Sequence, residues 1–157
     1  GEVDLTESLW IIPAERMKMR EPHIVPLSRQ AVELLRELHT HTGGRGMLVP
    51  NYRNPKACMT AATLNRALER MGVNGKDSIG FSAHGFRATA STTLNEIGFR
   101  PDVIERQLAH AERNKVRASY NQAEYLEERR AMMQQWADLT DEMAKDDDKV
   151  TPIKRAA

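Results

Sequence analysis

Glycine marks where the helices of this chain stop, and that confines most of the fold to short helical pieces. Apolar residues recur at three- and four-residue spacing in three series: Ala31, Leu34, Leu35, Leu38; Leu64, Ala67, Leu68, Met71; and Phe86, Ala90, Leu94, Ile97. Each series meets glycine soon after, at Gly43-Gly44, Gly72 and Gly98. Such spacing lays one apolar stripe along a helix, and a following glycine supplies the left-handed residue on which helices commonly end. Ser28 and Thr60 are candidate N-caps for the first two helices. The third is expected over about Gly85 to Ile97. Pro101 suits the first turn of a fourth, carrying Val103, Ile104 and Leu108. A last helix, about Glu124 to Met143, presents Tyr125, Met132, Met133 and Trp136 on one stripe.

Strand patterns cluster near the start. Leu9-Trp10-Ile11-Ile12 is stopped by Pro13, and His23-Ile24-Val25-Pro26-Leu27 follows after a basic connection with Lys18 near its tip. Two such runs predict a hairpin. Met47-Leu48-Val49-Pro50 is expected to add a brief third strand, with a loop from Asn51 to Met59. The expected fold is therefore mainly α with a small antiparallel β-sheet near the N-terminus, an α+β chain. Residues 1–143 are expected to form the folded part. Residues 144–157 are expected to be a charged, disordered tail, since Asp141 to Lys149 holds five acidic and two basic residues and Pro152 follows.

With 157 residues the chain has room for one domain core or a part of a larger one. A net charge of +1 argues neither for nor against nucleic acid. The single Cys58 excludes an intrachain disulfide and fits a reducing compartment. No apolar run approaches the roughly eighteen residues a membrane helix needs, and no signal peptide is visible. The chain opens at Gly1 directly into strand-like sequence, which we read as a piece of a longer protein.

The chemistry-bearing residues fall between His84 and Tyr120. His84 and Arg87 are three apart and share a face at the start of the third helix, where free N–H groups and a partial positive charge favour phosphate. Arg87 forks two N–H bonds and stays charged at any working pH. His110 follows the fourth helix, a polar segment read as a short basic helix runs on to Ser119, and Tyr120 follows it in polar sequence. A tyrosine hydroxyl is a poor nucleophile without a base or cations beside it. His84 is placed to take its proton, Arg87 and His110 to stabilise charge on phosphorus, and Lys18 to protonate a leaving oxygen. Taken singly, each has a plainer role: a helix-end histidine as a cap, a turn lysine in solvent, a tyrosine in packing. A zinc site from His23, His84 and His110 has no ligand-type spacing to support it.

As a set, the residues resemble the tyrosine recombinases, specifically phage and prophage integrases, over roughly residues 3 to 140. The resemblance rests on His84-Gly85-Phe86-Arg87, Leu108-Ala109-His110, Tyr120 ten residues beyond, and Lys18 eight residues before Pro26 in Ile24-Val25-Pro26-Leu27. It implies a partial catalytic domain that cuts and rejoins double-stranded DNA at attachment sites through a 3′-phosphotyrosine, for integration or excision of a prophage or genomic island. It implies a tetramer on DNA, no cofactor, no metal, no membrane, and a bacterial cytoplasmic location. Tyr120, Arg87, His84, His110 and Lys18 take the catalytic roles, with Tyr125 a rival nucleophile on the apolar stripe. The family's first arginine has no match here, since Arg16 and Arg20 flank the hairpin, and the isolated fragment is therefore expected to be inactive. Two other readings are a helical DNA-binding module without chemistry, and an assembly piece using the Tyr125, Met132, Met133, Trp136 stripe.

Overall fold

The computed structural model describes residues 1–42, 46–110 and 124–145. Three short strands, β1 (Val3–Asp4), β2 (Leu9–Ile12) and β3 (His23–Pro26), form an antiparallel sheet in chain order. Helices α1 (Arg29–Thr42), α2 (Ala61–Arg70), α3 (Ala83–Glu96), α4 (Pro101–Gln107) and α5 (Leu126–Lys145) account for most of the rest. The chain is mainly helical with a small sheet near its start, as its apolar periodicity predicts.

The hairpin pairs Leu9 with Pro26 and Ile12 with His23. β3 is an edge strand, where Pro26, lacking an N–H, costs no ladder bond. The sheet's third strand is Val3–Asp4, not Met47–Pro50. That segment contributes only a bridge between Pro50 and Cys58, because Asn51 and Met59 close the loop on itself and leave nothing to pair with the sheet.

Leu94, Val103, Ile104 and Met132 form the central core, bringing α3, α4 and α5 together, with Phe99, Leu108, Tyr125, Met133 and Trp136 packed around it. Fully burying a side chain such as Ile104 contributes roughly 1.5–3 kcal/mol. The α5 stripe thus closes the chain's own core. Ser28 caps α1 as expected, its Oγ accepting the Ala31 N–H at 3.2 Å. Thr60 makes no such cap bond, although Gly72 and Gly98, with φ of +76° and +93°, follow their helices as expected.

Three expected faces depart from the pattern, and on α2 only Leu68 of its stripe is buried, with Leu64 and Met71 exposed. On α1, Val32 is buried and Leu34 exposed. The Arg29 N–H and the Gln30 side chain bond to Gln134 and Asp138 of α5, and these polar contacts set the rotation of α1. On α3, Phe86 and Ile97 are exposed rather than inward, because α4 and α5 cover only the side that carries Leu94. The expected basic helix before Ser119, the Gly43-Gly44 stop and the tail beyond Lys145 lie outside the described residues.

Candidate active site at the end of α4

The last turn of α4 is where the sheet, α3 and α5 meet. Pro101 starts the helix with its φ already helical, and Asp102 in the first turn suits the helix dipole. At the other end the Ala109 N–H donates to the Arg106 carbonyl at 3.1 Å and the His110 N–H to the Glu105 carbonyl at 3.0 Å. This pair of bonds is a Schellman closure. It puts Ala109 in the left-handed region at φ +50°, where glycine is the usual occupant.

The closure aims His110 back at its own helix. Its Nδ1 lies 2.6 Å from Glu105 Oε2. A carboxylate accepts only, so Nδ1 carries a proton, and Nε2 points away from the pair. Both side chains are about half exposed, so a phosphate in solvent can reach the imidazole.

Arg87 comes to the same turn from α3. One of its Nη donors bonds the Leu108 carbonyl, within two residues of His110. His84, one turn earlier on α3, is exposed and makes no side-chain hydrogen bond to a described residue. Gly85 between them is needed for packing: a Cβ there would stand 2.8 Å from the Phe81 ring. That ring lies on the first turn of α3 and meets Phe86 edge-on at 4.8 Å.

The hairpin reaches the α4 end through His23, whose Nε2–H donates to the Gln107 carbonyl at 3.2 Å. His23 is buried, and burial chiefly holds its pKa below the ordinary histidine value, with Arg129 and Arg106 adding repulsion. Lys18 sits in the turn whose Arg20 N–H donates to the Met17 carbonyl at 3.1 Å, at the end of the hairpin that His23 ties down. Lys18 itself is exposed and makes no hydrogen bond to Arg87, His84 or His110. Tyr120 lies outside the described residues. Tyr125 packs against the core with the Arg100 guanidinium 5.1 Å from its ring centroid.

Arg129 holds these parts in register, and the reading by motif overlooks it. It is fully buried, bonding the Ile24 carbonyl of β3, Gln107 Oε1 of α4 at 2.9 Å and the Glu124 carbonyl at 3.3 Å. Burial lowers its pKa to about 10, partly opposed by the Glu124 carboxylate 3.6 Å away. Glu124 also takes a two-pronged bond from Arg106 of α4. One signal was available in sequence: Arg129 falls between Tyr125 and Met132 on the apolar stripe of α5, at four- and three-residue spacing. Among the described residues no cluster of His, Cys, Asp and Glu could hold a metal ion, and no helix is long and apolar enough to cross a membrane.

Residues 1–127 match the Phage integrase family. The chain is 49% identical over 138 residues to prophage integrase IntA of Escherichia coli K12, covering 88% of this chain and 32% of that protein. It is 46% identical over 154 residues to the integrase of Enterobacteria phage P4, covering 89% and 35%. The integrase of Shigella phage Sf6 is 42% identical over 143 residues, covering 89% and 36%. The chain thus spans about a third of the length of the curated relatives it matches. No solved structure gives a significant match.

Proposed function

The chain belongs to the phage integrase family, and on that premise we propose that it serves site-specific DNA recombination as part of a tyrosine recombinase catalytic domain. The observation that carries the reading is the bond from Arg87 to the Leu108 carbonyl, which sets a permanent cation beside the His110 turn. Tyr120 attacks a backbone phosphorus of double-stranded DNA, forming a 3′-phosphotyrosyl bond while the bond to the 5′-oxygen breaks. The tyrosine proton passes to His84, and Lys18 gives a proton to the departing 5′-hydroxyl. Arg87 and His110 stabilise the five-coordinate phosphorus, as fixed donors do best where charge develops. A 5′-hydroxyl of the partner strand then reverses the attack, so the bond energy is kept and no nucleotide cofactor is consumed.

Two features support Tyr120 over Tyr125. The Tyr125 ring is engaged by the core and by Arg100. Tyr120 lies ten residues past His110, the interval on which the family resemblance rests, whereas Tyr125 lies fifteen past it. The same scheme requires the family's first arginine, which neither Arg16 nor Arg20 supplies, so residues 1–157 alone are inactive in cleavage. Recombination itself proceeds in a tetramer on attachment-site DNA.

The test is a denaturation-resistant protein–DNA adduct formed on attachment-site DNA by a full-length protein carrying this chain. Tyr120→Phe should remove the adduct and leave DNA binding intact. An adduct that persists in Y120F transfers the nucleophile elsewhere. Binding without any adduct in the unaltered protein means a DNA-binding module without chemistry.

A further inference from the structure

The loop Asn51–Lys56 has no part in the chemistry above, yet it is built to present one surface. The Asn51 N–H donates to the Ala57 carbonyl at 2.8 Å and the Met59 N–H to the Val49 carbonyl at 2.9 Å, closing its base around the Pro50–Cys58 bridge. Asn51 Oδ1 accepts the N–H groups of Arg53 at 2.9 Å and Asn54 at 3.2 Å, and Asn54 Oδ1 accepts that of Lys56 at 3.2 Å. With the backbone so tied, Tyr52 stands 99% exposed, and Arg53 and Lys56 beside it are exposed too. None of the three side chains makes an ion pair or hydrogen bond to a described residue.

The charge around this loop is one-sided. Asp and Glu number 22 in the chain, yet none occurs from Leu38 to Leu68, a stretch that carries Arg45, Arg53, Lys56 and Arg66. An aromatic with a hydroxyl donor beside two cations that pair with no described residue, on a fixed backbone, matches the groups that bond the phosphates of a nucleic acid.

We propose that Asn51–Lys56 is a second DNA contact, separate from the cleavage site, in which Arg53 and Lys56 each neutralise a backbone phosphate and the Tyr52 hydroxyl donates to one of them. It rests on the reading of the chain as part of a DNA recombinase and adds to it a backbone-holding site, not a base-reading one.

The full chain is titrated against a short fluorescein-labelled DNA duplex of arbitrary sequence, by anisotropy, at several salt concentrations. Removing two phosphate contacts with R53A/K56A should weaken binding about tenfold or more at low salt and reduce the slope of log affinity against log salt by about two. Y52F should bind several-fold more weakly with the slope unchanged. R36A/K145A removes the same charge elsewhere on the surface and should stay within about twofold of the unaltered chain, with its slope kept. Equal losses in the two double variants, or an unchanged slope in R53A/K56A while the unaltered chain binds, overturn the loop contact alone. No salt-dependent binding by the unaltered chain overturns the DNA reading, and this proposal with it.

Discussion

Arg129 donates to Gln107 Oε1 at 2.9 Å, joining the first turns of α5 to the last residue of α4 at the point where His110, Arg87 and the hairpin converge. A fully buried guanidinium is costly to desolvate, so its partners must compensate for it. Here they are two backbone carbonyls, a side-chain amide and a carboxylate, drawn from β3, α4 and the residues just before α5. The arrangement fixes the spacing of three elements at once.

Arg129→Ala should therefore destabilise the chain by about 3–5 kcal/mol, the range for breaking a buried charged network. The Ile24 carbonyl and Gln107 lose this buried donor together, and the Glu124 carboxylate is left with Arg106. Urea denaturation followed by circular dichroism measures this, and a loss below about 1 kcal/mol would show the network to be dispensable.

Arg87→Ala should behave in the opposite way. Arg87 is exposed and outside the core, so the melting temperature should hardly move. Cleavage by the full-length protein should fall about 10²–10³-fold, as for loss of one transition-state donor. Arg87→Lys should not restore it, because an ammonium cannot serve the Leu108 carbonyl and a phosphate in the same fork geometry. Single-turnover adduct formation separates rate from binding.

His23 makes stability depend on pH. Its folded pKa lies below the usual 6.5, so the unfolded chain binds more protons as pH falls below that value. The stabilisation is present above about 6.5 and is lost as pH drops through the lower folded pKa. His23→Gln keeps a donor near the Gln107 carbonyl and removes the titration. Urea midpoints of the two proteins between neutral and mildly acidic pH should converge toward the acid end. Parallel curves would assign the pH dependence to other groups.

Ala109→Gly should stabilise the chain by about 0.5–1 kcal/mol, the strain of a left-handed alanine less the added freedom of an unfolded glycine. Ala109→Val should destabilise it and loosen His110. Thermal melts of both variants give the sign. A destabilising A109G would mean the methyl group packs better than the backbone strain costs.

Much of this protein was legible in its residues. The periodic apolar series, the glycine stops, Pro101 and the Leu9–Ile12 and His23–Pro26 runs encode the helices and the hairpin locally, since each depends on neighbours within a few positions. The spacing of Lys18, His84, Arg87, His110 and Tyr120 likewise carried the family resemblance. Tertiary packing decided what local pattern leaves open. Which side of α1 and α3 faces inward depended on the rotation set by α5, so Leu34 and Phe86 ended exposed. That Arg129, in a run of charged residues, is the buried tie between β3 and α4 follows only from bringing Ile24 and Gln107, far apart in the chain, to one point. Local spacing reports which way a side chain leaves its helix; a partner at long range decides what it meets.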